Sequence, residues 1–158
     1  MKFCLAVSFV VLLAIFSIGV SGCSSSNSGR PAFDPSTIPN TAFEIHLYSE
    51  RDPDDYIGYI RRRLEALGLD IGDYSSVDRT VRTISMNVGR GTFLMIFAST
   101  NYDVNVSRTI ARFSGLVGDD RGMARWNTSN DEQAFAFQML AEYVIKIEHE
   151  HLVYAVQQ

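Results

Sequence analysis

Cysteine and histidine are scarce in this chain, and their scarcity excludes several kinds of site. The 158 residues include two cysteines and three histidines. Both cysteines, Cys4 and Cys23, lie near the start, so no disulfide can cross-link residues 24–158. Zinc centres need clustered cysteine and histidine ligands, and few are present. We therefore expect no metal and no other cofactor.

Two common catalytic motifs are also absent. The sequence has no Gly-x-Ser-x-Gly nucleophile elbow and no Gly-x-x-x-x-Gly-Lys phosphate loop. Gly89-Arg90-Gly91 fits a tight turn between strands better than a phosphate site. His46 could join Asp52, Asp54 or a serine in a nucleophilic arrangement, but no nucleophile elbow accompanies it. We expect a protein that is not an enzyme.

Excess positive charge is lacking as well. Aspartate and glutamate outnumber lysine and arginine by 18 to 14, giving a formal net charge of −4. Nucleic-acid binding needs a concentrated positive surface, because the phosphates dominate the affinity. The Arg61–Arg63 run does not provide one, because consecutive helical residues fan out by about 100°. Nucleic acid is therefore not an expected partner.

The first 22 residues have the organisation of a secretory signal. Lys2 precedes an apolar stretch, Phe3–Val20, which is followed by small residues and Cys23. The tetrapeptide Val20-Ser21-Gly22-Cys23 resembles the lipobox of bacterial lipoproteins. That resemblance implies cleavage before Cys23 by signal peptidase II, lipidation of Cys23 (palmitate among the acyl chains) and anchoring of the mature chain in a membrane.

A retained transmembrane anchor is one alternative interpretation of the same stretch, and an ordinary signal peptide that is cut at another position is a second. Phe3–Val20 spans 18 residues, at the lower limit for crossing a bilayer. A small polar sequence, rather than cations, follows it, which favours cleavage. Under the lipoprotein interpretation the domain faces the periplasm or the cell surface. Ser24, directly after the cysteine, favours export to the outer membrane if the host has two membranes.

Residues 23–40 are predicted to be a lipidated cysteine and a flexible tether, because serine, proline and glycine dominate and no apolar period is present. A single globular domain is predicted over residues 41–158. It starts with alternating apolar residues in 43–47, which is typical of a half-buried strand. A helix follows, with Asp52 as N-cap, Pro53 in the first turn and Gly68 at the C-terminal cap.

The middle of the domain is predicted to be mostly strand. Residues 69–77 are taken as a connector, 83–88 as one strand and 92–98 as a strand that is apolar on both faces and therefore central. Residues 104–117 fit both a helix and a strand, and their side-chain types favour a strand hairpin that returns through 123–126. A final helix is predicted to start with a capping box of Ser129 and Glu132. Residues 152–156 are predicted to form either a short closing strand or a tail that packs on the domain.

This order of elements predicts the fold class. We expect a two-layer α+β domain, with an antiparallel sheet of four to five strands and two helices packed on one face. Over residues 43–150 the order of elements resembles that of small envelope assembly lipoproteins. The likeness is one of element order alone.

Three groups of side chains are candidates for a site. Glu148-His149-Glu150-His151 contains possible metal ligands, but the histidines are two residues apart and would not share a helix face, so we favour a helix-end role. The carboxylates Asp52, Asp54 and Asp55 are interpreted as helix-start residues rather than a calcium loop. A ligand groove or partner surface could use the remaining group: Tyr48, Tyr56, Tyr59, Tyr102 and Trp126.

These observations together predict a membrane-anchored lipoprotein of the cell envelope. We expect it to act by contact with another envelope protein, as an assembly factor, complex subunit or structural accessory. The alternative is a module that binds a small ligand or a glycan, and an enzyme with an unrecognised site is a third possibility. Apart from Cys23, the sequence identifies no site residue.

Overall fold

The computed structural model of the protein describes residues 33–118, 122–126 and 129–157. The predicted signal, Cys23 and most of the tether therefore lie outside the described residues. The described residues belong to one compact unit. The described elements, in chain order, are a 3₁₀ turn at Pro35–Thr37, β1 Ala42–Ser49, α1 Pro53–Ala66, β2 Ile71–Ser75, β3 Thr80–Thr83, β4 Met86–Gly89, β5 Thr92–Asp103, β6 Arg108–Val117, α2 Asp131–Ile147 and β7 Leu152–Val156.

The described strands form one antiparallel sheet of seven strands, so the α+β class is confirmed and the predicted four to five strands are an undercount. The strand order is β2-β3-β5-β6-β1-β7, and β4 pairs with β5 beyond the end of β3. The missed strand β2 lies in the segment predicted to be a connector. It is polar, interrupted by Gly72 and half exposed, so no apolar alternation reveals it.

The predicted strand over residues 83–88 is in fact two strands. β3 pairs with Ser99, Ala98 and Phe97, whereas β4 pairs with the beginning of β5. The chain stops pairing with β5 at Ile84 and Ser85. It then pairs with β5 again, as β4, at residues that come earlier in β5. The 12-residue length of β5 makes this possible, because it offers an edge long enough for two short partners.

Both helices start with a side-chain cap. Asp52 accepts a hydrogen bond from the amide of Asp54 at 2.9 Å, and Pro53 occupies the first helical position, as predicted. The cap of α2 is Asn130, which accepts from the amides of Glu132 and Gln133 at 3.0 and 3.2 Å. The predicted Ser129 cap is therefore wrong by one residue, although the helix itself is confirmed.

Residues 108–117 form the strand β6, which confirms the strand interpretation of this segment. The predicted returning strand over residues 123–126 does not form in the described residues. Met123 makes a single isolated bridge to Leu116, and Trp126 donates its amide to the carbonyl of Ala42. Residues 152–156 do form a closing strand, β7, paired with β1.

One hydrophobic core lies between the sheet and the two helices. The buried residues of α1 and α2 belong to the same cluster as alternate residues of the strands, such as Leu94, Ile96 and Phe113. Both helices contact β5 and β6. The central position predicted for β5 is confirmed, because it pairs with β3, β4 and β6. Leu94, Ile96 and Ala98 are fully buried, whereas their neighbours Phe93, Met95 and Phe97 point away from the core and are partly or largely exposed.

Candidate interaction face

The sheet surface opposite the helices is here called the open face. It carries the alternate strand residues that do not enter the core. At one end these are apolar: Phe93, Met95 and Phe97 on β5 and Leu116 on β6. Phe93 is 46% exposed and Leu116 is 39% exposed. Met95 is the register partner of Leu116, so these side chains form a continuous apolar surface.

A shallow depression lies within this apolar end. Its apolar walls are Phe97, Leu116 and Met123, and the small side chain of Ser114 also lines it. Phe97 and Ser114 are register partners on neighbouring strands. The remaining lining residues are Asp73, Thr80 and Arg82 from β2 and β3. The depression can therefore accept an apolar group, with a cation and a carboxylate at its rim.

A polar row crosses the sheet beside the apolar end. Its polar members are register partners on neighbouring strands, Ser75, Thr80, Ser99, Arg112 and His46, and the row ends at the apolar Val153 on β7. Arg112 and the exposed Arg82 form no ion pair within the described part of the chain. Glu44 is engaged by His46, whose Nε2 lies 2.6 Å from Glu44 Oε2. The open face thus presents two available guanidinium groups next to an apolar surface.

The structure does not assemble the nucleophilic arrangement considered for His46. Its partner is Glu44, on the same strand, rather than Asp52 or Asp54. Asp52 caps α1, and Asp54 Oδ1 lies 2.6 Å from Arg79 Nε, where the hydrogen bond and charge of the carboxylate raise the pKa of the arginine. These acidic side chains therefore stabilise the start of α1 and its contact with the β2–β3 turn.

The histidines of the Glu148–His151 segment lie beyond the last helix. α2 ends at Ile147, and the amide of Glu148 still bonds to the carbonyl of Val144. His149 and His151 are exposed in the turn before β7, so the predicted helix-end position is displaced by a few residues. Within the described ranges, no group of three or more histidine, cysteine, aspartate or glutamate residues is placed to hold a metal ion.

The aromatic candidates are dispersed rather than gathered in one groove. Tyr48 lies on the open face, whereas Tyr56 is 1% exposed and stacks on Tyr59 at 6.0 Å between ring centroids. Burial, with a smaller effect of nearby Glu148, raises the pKa of the Tyr56 hydroxyl well above its ordinary value. Tyr102 is 53% exposed near the far end of β5, and Trp126 is half-buried.

The open face was not identified from the sequence, although one signal for it was present. The predicted fold places both helices on one face of the sheet, which leaves the other face uncovered. An apolar run such as residues 93–97 then leaves every second side chain on the uncovered side. The run was used only to place the strand in the middle of the sheet, which is correct, and not to infer an exposed apolar surface.

Comparison with models of protein families finds no match to this chain, and comparison with curated protein sequences finds none either. In the part of the chain that the structure describes, no helix combines the length and hydropathy needed to cross a bilayer.

Proposed function

We propose that the protein is a lipoprotein of the bacterial cell envelope whose domain binds another envelope protein through the open face. Lipid on Cys23 anchors the chain, and the domain acts by contact rather than by catalysis. The observation that carries this proposal is the exposed apolar end of the open face. Soluble domains seldom leave neighbouring large apolar side chains on a sheet surface unless a partner covers them.

The chemistry of the open face defines the partner. Phe93, Met95, Phe97 and Leu116 call for an apolar contact surface, and the depression suits one inserted aliphatic or aromatic side chain. Arg82 and Arg112 lie beside it without ion pairs among the described residues, so carboxylates at the rim of the partner surface complement them. The partner is therefore an envelope protein with an apolar segment flanked by acidic residues.

Leu116→Glu is expected to weaken this interaction strongly without unfolding the domain. The side chain is already 39% exposed, so the fold tolerates a carboxylate there. In the complex, the carboxylate would be buried in the apolar contact. Loss of a central contact of about 2 kcal/mol corresponds to roughly a 30-fold weaker affinity. The measurement is quantitative mass spectrometry of proteins that are cross-linked in intact cells and co-purify with the full-length chain.

Val77→Glu is the matched control for that experiment. Val77 is 89% exposed in the turn between β2 and β3, outside the open face, and the substitution introduces the same charge. The control should recover the same partner as the unsubstituted protein. Equal recovery of one acidic-apolar partner by all three proteins would contradict the assignment of the open face as the contact surface.

Binding of a small ligand or glycan is the second candidate, and the depression is the observation that favours it. Its wall offers a single aromatic ring, Phe97, for stacking on a sugar. A binding module of this kind would show saturable binding of soluble peptidoglycan fragments that Leu116→Glu weakens. Cross-linking would then recover no partner protein whose yield depends on Leu116.

Lipidation is tested separately at Cys23. Cys23→Ser removes the thiol that would accept the diacylglyceryl group, so the chain should lack the mass of the lipid. Because signal peptidase II cuts before a diacylated cysteine, residues 1–22 should also stay attached. Intact-mass spectrometry of the purified protein is the measurement. A Cys23→Ser chain that still carries lipid would refute the lipobox assignment, whatever the behaviour of the open face.

A further inference from the structure

β2 and β7 lie at the two ends of the strand order, and they differ in how well their free edges are protected against pairing with another strand. β2 is protected in the way that natural proteins protect an edge, because it contains Gly72 and carries an exposed carboxylate on Asp73. Both edge pairings contain one register shift, so that feature does not distinguish the two strands. β7, with the sequence Leu-Val-Tyr-Ala-Val, has no charge, no proline and no glycine. Its exposed valines are Val153 at 48% and Val156 at 44%. Nothing in its sequence discourages the addition of another strand.

The hydrogen-bond pattern shows which groups of β7 point outward. The amide of Tyr48 donates to the carbonyl of His151, and the amide of Gln157 donates to the carbonyl of Thr41. Because pairing groups alternate along an antiparallel strand, residues 151, 153, 155 and 157 direct their backbone groups toward β1. Leu152, Tyr154 and Val156 direct theirs outward. In the described residues no backbone hydrogen bond beyond the β1–β7 ladder reaches these outward groups.

We propose that β7 pairs with β7 of a second copy of this chain, antiparallel and centred on Tyr154. In this register Tyr154 opposes Tyr154 of the other copy, and Leu152 opposes Val156. All three outward residues then exchange both backbone hydrogen bonds with their counterparts. The two seven-stranded sheets join into one continuous sheet across a twofold axis. This inference does not depend on the function proposed for the open face.

A second copy fits this edge better than a charged partner. The strand is neutral along its whole length, so it pairs with itself without repulsion between like charges, and valine lies opposite alanine on the open face. The twofold axis is perpendicular to the sheet, because antiparallel pairing through one edge keeps equivalent faces on the same side. Two open faces therefore become neighbours on a single surface, and a dimeric or repetitive partner could contact both.

Site-directed disulfide cross-linking tests the register. Val153 and Ala155 of the other copy form a non-hydrogen-bonded pair, whose Cα atoms lie about 4.5 Å apart. Two copies of the full-length chain with different tags, one Val153→Cys and the other Ala155→Cys, are expressed in the same cells, and their membranes are treated with a mild oxidant. A mixed dimer is expected, because that distance lies within the range of a disulfide.

Each single variant serves as a control. The two Val153 positions lie diagonally, about 8 Å apart from the spacing across and along the strands, which exceeds the reach of a disulfide. Val153→Cys with itself and Val77→Cys with itself should therefore give little cross-linked product. A mixed pair that forms no more product than these controls would overturn the proposal.

Sedimentation of the full-length protein in detergent provides a second, independent test. The unsubstituted chain should sediment as a complex of two copies that dissociates on dilution. Val156→Pro removes an outward amide but no amide that faces β1, so it should shift the protein to a monomer with an unchanged far-ultraviolet circular dichroism spectrum. A folded Val156→Pro protein that remains dimeric, or an unsubstituted protein that is monomeric at every concentration, would refute the β7 interface.

Discussion

Replacing Leu140 with alanine is expected to lower the free energy of unfolding by about 2–5 kcal/mol. Leu140 is fully buried on α2, and its Cδ2 atom lies over Gly115 of β6. Truncation removes the transfer free energy of the side chain and leaves a cavity between the helix and the sheet. Because native domains are stable by only about 5–15 kcal/mol, the loss is a large part of the total.

Thermal and urea unfolding of the full-length protein measure this change. Arg62→Ala is the matched control, because Arg62 is exposed on α1 and truncation there removes no buried surface. The free energy of unfolding of the control should match that of the unsubstituted protein within a few tenths of a kcal/mol. If Arg62→Ala destabilised the protein more than Leu140→Ala, the buried and exposed faces of the helices would be assigned incorrectly.

Gly115→Val should destabilise the protein by about 2–3 kcal/mol through overpacking. A Cβ atom at position 115 would lie 2.8 Å from Leu94 Cδ1 and 3.0 Å from Ala124 Cβ. Such separations are shorter than van der Waals contact, so Leu94 must leave its rotamer or β6 must move. Valine is otherwise a favourable strand residue, so a loss of stability on this substitution would come from the crowding at position 115.

Ser114→Val is the matched control for the crowded position. Ser114 is adjacent on β6 but points to the open face, where it lines the depression rather than the core. The substitution should change the urea midpoint little while adding one apolar side chain to the exposed surface. Equal destabilisation by both valines would indicate that β6 tolerates β-branched residues poorly for a reason other than the crowding at Leu94.

Regular periodicity accounts for the elements that were predicted correctly. Helix α1 combines an N-cap, a proline in the first turn and an apolar face, and α2 combines a polar start with buried residues at three- and four-residue spacings. These are local signals, since the residues that form each helix contact one another along the chain. The prediction of Ser129 as the cap was wrong because the next residue, Asn130, is of a type that caps equally well.

The packing of α2 against β5 depends on which alternate side chains of the strand face the helix. Leu140 and Val144 are buried and the helix contacts β5, whose buried side chains are Leu94 and Ile96 rather than Phe93 and Phe97. An uninterrupted apolar run does not show whether its odd-numbered or its even-numbered residues face the core. The register with which β5 pairs with β3 and β6 decides this, and those pairings join residues that are not neighbours in the chain.

The sequence by itself determined the two helices, the α+β class and the single candidate modification site, Cys23, because each rests on residues that are neighbours in the chain. Only the tertiary structure decided the number of strands, the open face and the free edge of β7. β2 and β3 are short and lack an apolar period, so long-range pairing selects them as strands. The exposure of Phe93 and Leu116 follows from the placement of both helices on one side of the sheet, which no local pattern encodes.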